Sequence, residues 1–251
     1  MIAFIIGLFS AWTLSQVEDK KMLSISSYSF IQKIKKCFQN TMFIKLLFSL
    51  SLINFSVVFM MPFVTLFMLK FLEIPMSTIL IFTLIMQLSY TFVIKTWGKI
   101  ADKKDTLKIL ETSIPLLLLS LFVFLGINQL TLSIYSLYSI LGIGHIVLGI
   151  ATAGITLGIN NASLIYIPKE SSNIYLSVNS VLKSFAGGIA FILAGITLSL
   201  CTFLENQQYL KLYCNKWTLF WGVSIIICIL VYYVTLILKN SLSSCKKEKY
   251  F

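Results

Sequence analysis

Residues 86–119 read MQLSYTFVIKTWGKIADKKDTLKILETSIPLLLL, a charged island with a long apolar run on either side. Within residues 95–110 of the island lie five lysines, Asp102, Asp105 and Gly98. Two aspartates three residues apart suit one face of a helix and open the reading of a metal-dependent membrane enzyme. A magnesium–diphosphate site needs several carboxylates, however, and the remaining acids near this island are scattered singly, with two lysines wedged between the aspartates. The flanking runs decide the matter. Each approaches the 20 or so apolar residues that cross a bilayer core about 30 Å thick, so the island reads as a connection between two membrane spans.

Working outward, the same pattern recurs. The chain has 251 residues, 58% hydrophobic and 12% charged, with a mean hydropathy of +0.91. A soluble domain carries about 25% charged residues. Six spans are predicted, over 43–69, 76–96, 107–127, 132–158, 173–200 and 217–238, giving an all-α membrane bundle. Pro62 lies inside the first span, where neighbouring helices tolerate it. Residues 1–14 are apolar but too short to span, and lack the basic start and small-residue cleavage site of a signal peptide. Residues 15–42 form a basic loop, in which Ile31, Ile34 and Phe38 have the spacing of a surface amphipathic helix, and 239–251 form a basic tail.

The net charge of +11 comes entirely from lysine. These lysines sit between spans rather than in one patch, which argues for a lipid bilayer as the partner and against nucleic acid. With 15–42, 97–106, 159–172 and 239–251 on one side, that side and its helix ends hold 17 lysines against 3 opposite. The positive-inside rule then makes both ends of the six-span unit cytoplasmic, in an integral multi-pass protein of the cell (inner) membrane. The five cysteines form no CxxC and no ligand set; Cys201 and Cys214 flank one external loop and either pair there or stay free. No motif for a cofactor or a nucleotide is present, and the chain is read as no enzyme.

At WGKIADKKDTLKIL the island resembles the loop motif of the major facilitator superfamily, which follows the second helix of each six-helix half. Gly98, Ile100, Ala101, Asp102 and Lys103 fall on its positions, while Asp105 stands where the family has a second glycine. The stretch 160–196, NNASLIYIPKESSNIYLSVNSVLKSFAGGIAFILAGI, is similar to the junction of the tenth and eleventh helices, through Pro168, Glu170, Tyr175, Gly187, Gly188 and Gly195. NTMFIKLL, 40–47, resembles the entry to the seventh. The resemblance implies a six-transmembrane-helix bundle of two three-helix repeats, the carboxy-terminal half of a secondary transporter, with 1–14 as the remnant of a preceding transmembrane helix. Transport of a small solute by alternating access would then need an amino-terminal six-helix half or a homodimer partner. The alternative is a non-transporting remnant or a membrane interaction subunit of a truncated gene.

Asp102 is implied to latch the two halves in one state of the cycle, with Gly98 and Lys103 beside it. Within the spans, polar groups are the pointers to function, because hydrocarbon offers them no partner. Asn54, Gln87, Tyr90, His145 and Asn179 are candidate substrate-binding residues on helices that line the cavity of the family. Each reads equally as an interhelical hydrogen bond holding the bundle together. His145, the only histidine, is either a proton-coupling group or a buried neutral imidazole. Lys183 either snorkels to the cytoplasmic edge or places a cation in the cavity, favouring an anionic solute. Gly154 and Gly158 form a GxxxG pair that permits close helix contact.

Overall fold

The computed structural model describes residues 35, 38–39, 41–103, 106–130, 133–166, 172–205 and 215–248. The surface helix expected over 28–45 and the partner position Cys214 lie mostly or wholly outside these residues, whereas Cys201 is a free, buried thiol. Six helices follow one another: α1 (Thr41–Lys70), α2 (Met76–Lys103), α3 (Thr106–Gln129), α4 (Ile134–Ile165), α5 (Ser172–Glu205) and α6 (Lys216–Glu248). All six are long and apolar enough to cross a membrane.

The helices outrun the spans that hydropathy marks. α2 continues through Trp97–Lys103, so most of the charged island is helix rather than loop. Lysine, alanine and isoleucine all tolerate the helical backbone, and Gly98 alone costs about 1 kcal/mol. α6 likewise carries the basic tail on to Glu248. Local signals set other ends. Ser133 caps α4, accepting from the Ser136 amide, and the Asn215 Oδ1 accepts from the Trp217 amide at 2.7 Å to start α6. Glu73, in the turn between α1 and α2, takes φ 53°, while the Leu72 and Ile74 amides close on the carbonyls of Phe67 and Met68.

Helix neighbours do not follow chain order. α4 packs on α2 and α3, α1 packs on α5 and α6, and α3 against α6 joins the two clusters. Exchanging α1 with α4, α2 with α5 and α3 with α6 carries every substantial helix contact into another one. Helices that exchange enter the bundle from opposite ends, so the two halves of the chain are paired in an inverted sense. The end that carries the α2–α3 connection and the α6 terminus is called the lysine-rich end below.

Glycine builds the α4 cluster. A Cβ on Gly149 would fall 2.3 Å from the Met86 carbonyl oxygen, and one on Gly154 would fall 2.0 Å from the Ser113 Oγ. Gly158 meets Leu110 in the same way, and Trp97 Nε1 donates to the Ile150 carbonyl at 3.0 Å. Aromatic rings build the α1–α6 seam instead: Phe59 and Phe63 pack on Phe220, and Phe67 packs edge-on to Trp217 and Trp221. The α3–α6 seam is closed by Phe124 stacked on Trp221, and at the lysine-rich end by an ion pair between Glu111 and Lys239.

Candidate functional site

Buried polar groups converge where α1, α4 and α5 meet, in the half of the bundle toward the lysine-rich end. Asn54 Nδ2 donates to the Lys183 carbonyl at 3.0 Å. Gly187 makes room for that amide, since a Cβ there would stand 3.3 Å from Asn54 Nδ2. One turn earlier on α5, Asn179 Nδ2 donates to Ser163 Oγ at 2.7 Å, and Ser163 donates to the Ile159 carbonyl. Lys183 Nζ lies 3.4 Å from Asn160 Oδ1. Residues 179 and 183 of α5 thus meet residues 163 and 160 of α4 as antiparallel helices allow. Asn179 is 3% exposed, yet its Oδ1 has no hydrogen-bond partner among the described residues.

The level of this cluster follows from its neighbours. Gly158 lies against Leu110, in the second turn of α3, and Asn160 is two residues further toward the lysine-rich end. The Lys183 ammonium, beside Asn160, therefore lies in the part of the bundle toward that end. There it faces a carboxamide. The ion pairs among the described residues are Glu111–Lys239 and Glu205–Lys216, so Lys183 has no carboxylate partner among them. The cluster presents an ammonium and exposed amide groups of Asn160 at its rim, with hydroxyl and amide dipoles behind.

Three of the sequence-derived residues, Asn54, Asn179 and Lys183, thus come together, and three do not. His145 is 2% exposed, stacked on Phe82 and edge-on to Phe124. Its Nδ1 lies 2.8 Å from the Leu141 carbonyl, which fixes the hydrogen on Nδ1. Tyr90 packs at half burial beside the Trp97, Ile109 and Ala153 cluster. Gln87 is exposed on the outer face of α2. Gly98 has open space around its Cα, Asp102 is exposed in the last turn, and Lys103 ends the helix. Asp105 lies outside the described residues, among which no three His, Cys, Asp or Glu gather in a group able to hold a metal.

Sequence reasoning missed Asn160 and Ser163, although both stand in the NNAS stretch that drew notice for other reasons. It also missed the Glu111–Lys239 pair. Each of those residues is a single charge near a helix end, and no local pattern links positions so far apart in the chain.

No family model, curated protein or solved structure matches this chain. Two outward faces of the bundle carry lines of polar or small residues. On α2, Gln87, Thr91, Lys95 and Asp102 are exposed along one side, four or seven residues apart. On α5, Ser177, Ser180, Ser184, Gly188 and Gly195 form a similar exposed line, with open space at both glycines. α2 and α5 exchange under the inverted pairing, and they are the two least buried spans.

Proposed function

We propose that this chain is a six-helix half of a secondary transporter of the major facilitator type, moving a small solute by alternating access. A second six-helix bundle, from another chain or a second copy, completes the path. The lysine-rich end faces the cytoplasm, and the membrane is the cell (inner) membrane. The observation that carries this reading is the inverted exchange of helix neighbours. In transporters of this type an inverted pair of three-helix units is nested within each six-helix half, and the two halves move against one another around the substrate. A metal-dependent enzyme has no need of this arrangement.

The polar lines on α2 and α5 support the same reading. A glutamine amide turned toward lipid finds no partner there, whereas the Thr91 and Ser177 hydroxyls donate to the Gln87 and Asn173 carbonyls of their own helices; polar groups within spans ordinarily face protein or a water-filled cavity. Covering these faces with a second bundle removes that cost. Asp102 then stands at the cytoplasmic mouth, free to meet a helix N-terminus of the other bundle. The Asn54–Asn160–Asn179–Lys183 cluster supplies polar contacts for solute on its way to the cytoplasm, and its ammonium favours an anionic group.

Uptake into proteoliposomes tests the proposal, using a solute first selected by its stabilising effect from a panel of amino acids, sugars and organic acids. Uptake that falls at least tenfold in Asp102→Asn, with folding intact, supports the latch. Unchanged uptake in Asp102→Asn and His145→Ala removes both from the mechanism. Failure of every solute to be taken up, with the chain stable and monomeric in membranes, favours the non-transporting interaction subunit.

A further inference from the structure

The α1–α5 seam opens outward into a groove of about 360 Å³ toward the lysine-rich end, lined by Leu47, Phe48, Leu52, Phe55, Phe185 and Ala186 among others. Ser51 is the one hydroxyl in its wall among the described residues. From Ile44 to Phe55 the groove follows α1 for about 17 Å at 1.5 Å per residue. One leaflet contributes about 15 Å of hydrocarbon, half of a core about 30 Å thick. The groove thus has the length and chemistry of a single acyl chain laid along the helices, from the bilayer edge to its middle.

Its mouth is cationic. Lys45 is exposed one turn from Phe48 and two turns from Leu52, on the same side of α1. Lys35 is exposed and precedes Phe38, which also lines the groove. Neither α1 nor α5 has an acidic residue in its first turn to neutralise these charges. A lysine near a membrane surface gains about 1 kcal/mol from anionic lipid, so two lysines discriminate clearly between an anionic and a zwitterionic headgroup.

We propose that the α1–α5 groove is a binding site for an anionic phospholipid of the leaflet at the lysine-rich end. One acyl chain lies between Phe48 and Phe185, and the headgroup phosphate lies between Lys35 and Lys45. This site is separate from the polar cluster and does not depend on transport. The bound chain fills a seam where α5 otherwise exposes Phe185 and Ile189, and so secures α5 against α1.

Native mass spectrometry of the detergent-purified full chain tests this, with dioleoylphosphatidylglycerol and dioleoylphosphatidylcholine titrated separately after delipidation. The expected result is one preferred phosphatidylglycerol adduct, bound about tenfold more tightly than phosphatidylcholine. Ala186→Phe, or Ile189→Trp should that variant not fold, loses the preferred adduct for both lipids by filling the groove. Lys35→Gln with Lys45→Gln loses the phosphatidylglycerol preference while retaining the phosphatidylcholine adduct. Lys99→Gln, on α2 at the same end of the bundle but outside the groove lining, leaves both unchanged. Equal binding of the two lipids to the native sequence overturns the proposal. So does a preferred adduct that survives groove filling, an equal loss of preference in Lys99→Gln, or a dimer that takes up no lipid because a second copy occupies the groove.

Discussion

The two halves of the bundle solve one packing problem with different materials. α4 approaches α2 and α3 through Gly149, Gly154 and Gly158, so that backbone meets backbone or a short side chain. Its counterpart α1 approaches α6 through stacked and edge-on rings of Phe59, Phe63, Phe67, Trp217 and Phe220. In lipid no hydrophobic drive brings apolar helices together, because tails are as apolar as leucine. Both seams must therefore gain from contact. Glycine gives close approach, and rings give a large contact area with geometric preference. The common pairing pattern thus survives a change of packing chemistry. What the pattern needs is contact density, and the residues that supply it differ from half to half.

Mutations that strike one seam and spare the other sharpen this contrast. Trp221→Ala removes a fully buried ring shared by α1, α3 and α6, and is expected to cost about 3 kcal/mol or more in reversible unfolding from mixed micelles. A loss below 1 kcal/mol would show that the ring seam is not a stabilising contact. Gly149→Ala sets a methyl against the Met86 carbonyl, where no side chain can yield, and should cost about 2 kcal/mol. Gly154→Ala clashes with the Ser113 side chain and with the Trp97 ring, so Ser113→Gly should recover only part of its loss in a double-mutant cycle. Ser113 Oγ is buried without a partner among the described residues, and Ser113→Ala alone should be neutral or stabilising.

Smaller effects follow. Trp97→Phe keeps most of the ring but drops the bond to the Ile150 carbonyl between α2 and α4, at a cost of about 1 kcal/mol. Gly188→Ala should leave stability near its original value, because nothing stands within 4 Å of the new Cβ. On the proposed function the same change weakens association with a second bundle, which crosslinking in membranes reads directly. A stability loss at Gly188 comparable with that at Gly149 would erase the distinction between inward and outward glycines.

The membrane class, the number of spans and their approximate places were legible in residues such as 76–96 and 107–127. Runs of apolar side chains of bilayer length admit few other structures. The GxxxG pair pointed to close contact, yet Gly149, with the most obstructed backbone contact, lies off that pattern. Helix ends were less legible. Lysines ended the predicted second span at 96, whereas the backbone stays helical to Lys103, since charge ends burial without ending a helix. At the candidate site, Asn54, Asn179 and Lys183 drew notice as polar residues in apolar runs. Their partners Asn160 and Ser163 stand at the end of α4, where polarity is ordinary, so only the fold marks them. The Glu111–Lys239 pair depends on α3 meeting α6, a pairing no local pattern encodes.

The most direct measurement concerns water. Ile146 is exposed near the middle of α4, while Phe122 is exposed on α3, in the back of the bundle. In a cysteine-free background, Ile146→Cys and Phe122→Cys can be treated in native membranes with a membrane-impermeant maleimide, applied to one side and then to the other. A thiol reacts as the thiolate, which forms in water and not in lipid. The transporter reading predicts that position 146 is labelled from both sides in turn and position 122 from neither. Labelling of neither position would mean that lipid covers both faces, and would contradict alternating access through this bundle.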